Sequence, residues 1–204
     1  MRVAPKRWVI GIDEVGRGPL AGPVYVCAVA MEYQLYKKMK WPGLTDSKKL
    51  SLKAREHWFT KAKELESQDI LKIALAHQSA AAIDRYGISV CIKKCIVDIL
   101  EQVALDPSET LVLLDGGLRA PTQYTTQQTI IRGDQSQKII SLASVVAKVT
   151  RDRYMVNMAQ KYPEYAWQNN KGYGTKMHSE ALKKRGITSL HRKSFLSRIL
   201  DINQ

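Results

Sequence analysis

Apolar positions in the first third of the chain fall into short runs broken by turn residues, a strand-like pattern rather than a helical one. RWVIGI (7–12) is rich in β-branched residues and ends at Asp13-Glu14 and a Gly-Arg-Gly-Pro turn, which reads as strand then loop. GPVYVCAVAM (22–31) reads as a second strand, and the brief connection predicts that the two are antiparallel neighbours. Pro, Gly and Thr-Asp-Ser-Lys-Lys across 41–50 predict a loop, with Asp46 or Ser47 capping a helix that begins near Leu50. ILKIALAH (70–77) is a third strand.

The period then changes. From about Ser79 to Val103 apolar residues recur at helical spacing, and the turn at Tyr86-Gly87 divides the stretch into two helices. LVLLDGG (111–117) is a strand with a carboxylate at its carboxyl end, TTQQTIIRGD (125–134) is a weaker one, and a helix from about Gln137 to Tyr162 is stopped by Pro163. Beyond Tyr165 the chain turns aromatic, amide-rich and basic. Together these elements predict an α/β fold: a mixed sheet of about five strands with helices on both faces. One continuous domain without internal repeats is expected, with a body over 1–163 and a small helical extension over 164–204.

Charge narrows the partners. Lys and Arg number 32 against 19 Asp and Glu, a net +13 over 204 residues, which points to nucleic acid or an anionic membrane surface. No apolar run approaches the roughly 18 to 20 residues that span a bilayer, and MRVAPKRWVI lacks the long apolar core of a secretion signal. A cytoplasmic monomer without membrane contact is therefore expected. Cys91 and Cys95 stand one helical turn apart with no second cysteine pair or histidine pair to complete a zinc site, so buried free thiols are expected.

Asp13, Asp115 and Asp134 each end an apolar β-like run, and Glu14 adjoins the first. Carboxyl ends of strands are where α/β sites assemble. Singly, each aspartate reads as a turn former or cap; three such endings plus a glutamate point to a shared site. Two carboxylates about 4 Å apart repel by about 4 kcal/mol at an effective dielectric near 20, so a converged cluster needs protons or cations. All-oxygen donors favour Mg²⁺ or Mn²⁺, and two such ions about 3.5–4 Å apart would clamp a phosphodiester, activating water on one side and stabilising the leaving oxygen on the other. No Ser-His-Asp or Cys-His arrangement offers a protein nucleophile. Because adjacent strand residues point to opposite faces, Asp13 and Glu14 are expected to share a site only if the strand already breaks into its turn there.

IGIDEVGRGPLAGPV at the amino end, GLTDSKKL (43–50), LLDG (113–116), GDQSQKIISLASVVAKVTRD (133–152), NKGYGTKMH and HRKSF resemble ribonuclease HII, in sequence and in order, over nearly the whole chain. The resemblance implies a ribonuclease H-like fold and an endonuclease that cuts the RNA strand of RNA–DNA hybrids and at ribonucleotides embedded in DNA. It further implies that Asp13, Glu14, Asp115 and Asp134 are the catalytic, metal-binding carboxylates, that Gly16-Arg17-Gly18 reads the ribose 2′-OH, and that Tyr173 packs on the deoxyribose beside the scissile site. Glycine lets backbone approach a sugar closely, and the 2′-OH separates RNA from DNA.

Lys48, Lys49, Lys148 and Arg151 are candidate phosphate contacts, with a solvated helix face as the alternative. For His178 and His191 a capping or packing role stands beside a catalytic one. SLASVVAK departs from the small residues more usual for the family, and Leu142 is expected to alter packing under the site. The closing SRILDINQ carries no docking motif for a replication clamp. Two other readings stay open: a resolvase- or integrase-like two-metal nuclease that needs no 2′-OH reader, and a non-catalytic nucleic-acid-binding protein whose carboxylates are caps.

Overall fold

The computed structural model describes residues 6–197 and 199. The first five residues, and all of the SRILDINQ tail except Ser197 and Ile199, lie outside the described residues, so the amino-terminal and tail readings do too.

β1 (Trp8–Val15) and β2 (Val24–Glu32) form an antiparallel pair, with Trp8 opposite Glu32 and Val15 opposite Tyr25. After α1 (Tyr33–Lys38), a loop leads to α2 (Leu52–Ser67), and β3 (Lys72–Gln78) adds antiparallel to the other edge of β2. Gly87, at φ +80°, separates α3 (Ala80–Tyr86) from α4 (Ile88–Val103). β4 (Thr110–Asp115) pairs parallel with β1, and β5 (Gln127–Ile130) parallel with β4, giving the order β3-β2-β1-β4-β5. The short α5 (Gly133–Ser136) leads into the long α6 (Lys138–Lys161), followed by α7 (Trp167–Asn170) and α8 (Lys176–Arg185).

Alternation along the strands divides the core between two faces. Ile10, Ile12, Val26 and Ala28 pack against Cys95, Ile96 and Ile99 of α4. Val9, Cys27 and Val29 pack against Ile139, Leu142 and Val146 of α6, so Leu142 is a core residue. Trp58, Ala62 and Leu65 of α2 join that second core, which accounts for the apolar character of the first turns of α6 all round the helix. Gly11 sets the spacing here. A Cβ on it would lie 2.4 Å from the carbonyl carbon of Ile139, so α6 passes over β1 at a distance only glycine permits.

A third cluster, built from Leu20, Ala21, Met155, Tyr165, Trp167 and Leu182, folds the carboxyl-terminal segment over the loop between β1 and β2. Cys27, Cys91 and Cys95 are free and buried. Among the described residues no helix is long and apolar enough to cross a membrane.

Two local expectations are corrected. The cap of α2 is Ser51, whose hydroxyl accepts from the Ala54 N–H at 3.2 Å; Asp46 closes a tight turn onto the Lys48 N–H at 2.8 Å, and Ser47 shares a 2.9 Å hydrogen bond with Ser144. Nor does β1 break at Asp13-Glu14: its ladder with β2 continues through Val15.

Candidate active site

Asp13, Glu14, Asp115 and Asp134 line one cavity of about 620 Å³. They reach it from three elements. Pairing of β1 with β4 ends at Ile12 opposite Leu114, leaving Asp13 and Glu14 on a stretch of β1 whose β4 side is open, while Asp115 closes β4 one residue further on. The end of that pairing, rather than a break in β1, leaves the space that the adjacent carboxylates share. Asp134 comes from α5 and is joined to Asp115 by its own N–H, 3.4 Å from Asp115 Oδ1. Before it, Gly133 packs closely on Ile140, where a Cβ would lie 2.7 Å from the terminal methyl of that side chain.

Burial shapes the charge. Asp13 is pushed up to about 8 by burial, then by Glu14 and Asp115, against the opposing pull of the Ser144 hydroxyl and the Glu14 N–H that donates to it. Glu14 is raised by burial and restrained by Arg17, whose Nη1 lies 3.4 Å from its Oε1. Asp134 is pushed up to about 6 by burial and by Asp46 and Asp115, with Lys48 opposing. Without a cation, therefore, burial favours a proton on Asp13 at neutral pH.

The cavity offers only oxygen donors, since no histidine or cysteine is among its lining residues. Among the described residues no group of three or more acidic, histidine or cysteine side chains is arranged to hold a metal ion by itself. Mg²⁺ does not require one: it keeps several waters and is bound through one or two carboxylates plus substrate phosphates. The donor set thus fits a hard divalent ion. Lys48, Arg55, Lys148 and Lys171 line the same cavity and supply positive charge around the carboxylates.

Gly16-Arg17-Gly18 follows β1 directly, and Gly16 takes a positive φ of 88°. Arg192, fully buried, grips this loop: it donates to the carbonyls of Gly16 at 2.6 Å, Arg17 at 3.0 Å and Gly22 at 2.9 Å. Tyr173 lines the cavity from the loop between α7 and α8 and is 40% exposed. This loop is docked on the first: the Leu20 N–H donates to the Gly172 carbonyl at 2.8 Å, and a Cβ on Gly172 would lie 2.4 Å from the Ala21 carbonyl oxygen.

The basic candidates separate. Lys48 and Lys148 line the cavity, the latter paired with Asp152 at 2.8 Å. Lys49 is outside the lining and donates to Gln135 at 3.0 Å. Arg151 is not placed to meet a phosphate. It is fully buried, and its guanidinium is occupied by the carbonyls of Pro23, Ala21 and Lys171 at 2.9, 3.0 and 2.9 Å. His178 and His191 are buried and hydrogen-bonded to each other at 3.1 Å, away from the carboxylates.

Several site residues were not singled out in the sequence. Asp46 looks like a cap but stands beside Asp134. Ser144 is buried against Asp13, and Arg55, Asn169 and Lys171 line the cavity. Arg192 sits in the HRKSF segment, whose resemblance to the family was the available signal.

The ribonuclease H2 from Pyrococcus horikoshii superposes with a TM-score of 0.73 at 25% identity, covering 94% of this chain and 96% of that one. A Bst ribonuclease HIII, solved in complex with Mn²⁺, gives 0.68 at 16% identity over 100% and 72%. The sheet, its flanking helices and these neighbours define a ribonuclease H-like fold. Sequence narrows the class further. Ribonuclease HII of Halalkalibacterium halodurans is 42% identical over 187 residues, covering 92% of this chain and 66% of that protein; the one from Caldicellulosiruptor bescii is 40% identical over 200 residues, covering 96% and 90%. The family model Ribonuclease HII matches residues 10–198. The chain belongs to the ribonuclease HII family, a family of ribonuclease H enzymes.

Proposed function

We propose that this enzyme hydrolyses the RNA strand of RNA–DNA hybrids and cuts 5′ to ribonucleotides embedded in duplex DNA, leaving a 5′-phosphate and a 3′-OH. Removal of misplaced ribonucleotides and of RNA primers during DNA replication and repair is the role that follows. One observation carries the reading: four carboxylates from β1, β4 and α5 line a single cavity together with lysine and arginine side chains, and the 16–18 loop follows directly from the strand that bears two of them.

Asp13, Glu14, Asp115 and Asp134 would hold Mg²⁺ or Mn²⁺, two ions in the working complex; when bound, these supply activation of water and neutralisation of charge at the phosphodiester. The remaining residues act on the substrate directly. Lys48 and Lys148 hold phosphate, Gly16-Arg17-Gly18 brings backbone groups against the ribose 2′-OH, and Tyr173 packs on the neighbouring deoxyribose. Arg17 restrains Glu14 while the loop stays open to the sugar.

The test is cleavage, with Mg²⁺ and with Mn²⁺, of matched duplexes that differ by one ribonucleotide, mapping the cut at nucleotide resolution. Incision on the 5′ side of the ribonucleotide, with the all-DNA duplex left intact, is expected. Equal cutting of the all-DNA duplex would overturn the reading in favour of a nuclease without a 2′-OH reader.

A further inference from the structure

His178 is completely buried, yet both of its ring nitrogens are engaged. Nδ1 lies 2.9 Å from the carbonyl oxygen of Tyr173, which can only accept, so the ring hydrogen is on Nδ1. Nε2 is then an acceptor, and it receives the Trp167 indole N–H at 3.1 Å. His191 completes the assignment. Its Nδ1 accepts from the Thr188 N–H at 2.9 Å, placing its hydrogen on Nε2, 3.1 Å from His178 Nε2. A single choice of tautomers thus engages all four ring nitrogens, with the Trp167 N–H and the His191 Nε2–H sharing the lone pair of His178 Nε2. Burial, together with His178, pushes His191 down to about 4, which keeps it neutral at ordinary pH.

The recipient of this network is a residue that faces the cavity. Tyr173 is held at its N–H by the Asn170 carbonyl at 2.9 Å and at its carbonyl by the Thr175 N–H at 2.8 Å as well as by His178. The glycines on either side are packed on Ala21 and Leu20. Glycine flanks give the Tyr173 peptide little intrinsic stiffness; the bond from a rigid, buried imidazole adds a restraint from outside the loop to those from Asn170 and Thr175. Contacts held in place before binding cost less to form.

We infer that His178 is the positioning residue for Tyr173, fixing the aromatic face that selects the ribonucleotide–deoxyribonucleotide junction, with His191 and Trp167 orienting its ring. The inference rests on the proposed sugar contact of Tyr173.

Two isosteric replacements separate positioning from packing. His178→Asn places an amide N–H near the position of Nδ1 and so keeps the bond to Tyr173 while losing the acceptor for Trp167. His178→Gln keeps an acceptor near Nε2 and loses the bond to Tyr173. Steady-state kinetics on a duplex with one embedded ribonucleotide are measured alongside thermal melting for both variants, for Tyr173→Ala, and for His178→Gln combined with Tyr173→Ala. His178→Gln is expected to raise KM about tenfold, the size of one hydrogen bond, with kcat within about threefold of wild type. His178→Asn is expected to hold KM within about threefold despite a lower melting temperature, since it leaves the buried Trp167 and His191 N–H groups without their shared acceptor. In the Tyr173→Ala background the effect of His178→Gln should vanish.

A larger KM rise for Asn than for Gln, or effects of His178→Gln and Tyr173→Ala that multiply, would overturn the inference. Should the Asn variant not fold, the Gln variant and the double variant decide alone. Wild-type protein that leaves the ribonucleotide duplex intact overturns the proposed function itself. Wild-type protein that cuts it while His178→Gln keeps the same KM overturns only the role of His178.

Discussion

Arg192 Nη2 donates to the carbonyl oxygen of Gly16 at 2.6 Å, across 176 residues of sequence. A trans peptide sets its N–H opposite its carbonyl. By fixing the carbonyls of Gly16 and Arg17, the buried guanidinium therefore also fixes the directions of the Arg17 and Gly18 N–H groups.

Arg192→Met keeps the bulk and removes every donor. Three backbone carbonyls, two of them in buried bonds, then lose a charged partner, and a destabilisation of about 3 kcal/mol is expected. Cleavage at an embedded ribonucleotide should fall about 100-fold in kcat/KM, or about 2.7 kcal/mol. Arg192→Lys should recover little of this, because one ammonium cannot reproduce the planar fork. Melting curves and steady-state kinetics check both effects.

Asp134→Asn tests the carboxylate cluster. It preserves shape in the cavity but removes a charge that the proposed ions need, and kcat should fall about 1,000-fold, equivalent to about 4 kcal/mol. Duplex binding measured by fluorescence anisotropy should remain within a few-fold, since the cations around the cavity are untouched. Retained cleavage would instead favour carboxylates that serve only as caps.

Stability of the metal-free protein should depend on pH in a characteristic way. Asp13, ordinarily at 3.8 and raised to about 8, keeps in the folded state a proton that the unfolded chain releases, so stability falls as pH rises between those values. His191, ordinarily at 6.5 and lowered to about 4, acts oppositely, adding stability as pH rises over that window. The two offset in mildly acidic solution, and only the carboxylate effect persists above it. Between pH 6.5 and 8 the melting temperature should therefore drop. Asp13→Asn should remove most of the slope, and Mg²⁺ should restore more stability at the upper end than at the lower.

Gly11→Ala probes the approach of α6 to β1. With the new Cβ 2.4 Å from the Ile139 carbonyl carbon, helix or strand must shift. Overpacking of this kind costs about 1–3 kcal/mol, which for a chain of this size lowers the melting temperature by roughly 2–12 °C. Calorimetry measures the shift, and cleavage should fall with it because Ser144 on α6 is buried against Asp13.

The carboxylate endings of β1 and β4 were legible because an apolar run terminated by an acid is a local pattern. Burial is not local, and that is where the reading failed. Arg151 has the look of an exposed helical cation, but its side chain is enclosed by residues 21–23 and Lys171 from other parts of the chain. Asp46 obeys the rules of a cap; its nearness to Asp134 depends on a tertiary approach of two loops. The Asp13-Glu14 pair was expected to need a broken strand, since alternation was considered for β1 alone. The end of β1–β4 pairing at Leu114 leaves the opening instead.

The clamp on the 16–18 loop has a consequence for the order of synthesis. Its guanidinium partner, Arg192, is made 176 residues after Gly16. While the chain is still growing on a ribosome, strands bearing Asp13 and Asp115 can pair long before any residue exists to hold the loop's carbonyls. The newborn polypeptide thus acquires the strands of its acidic floor early, and the clamp on the loop proposed to face the ribose only 176 residues after Gly16 is made.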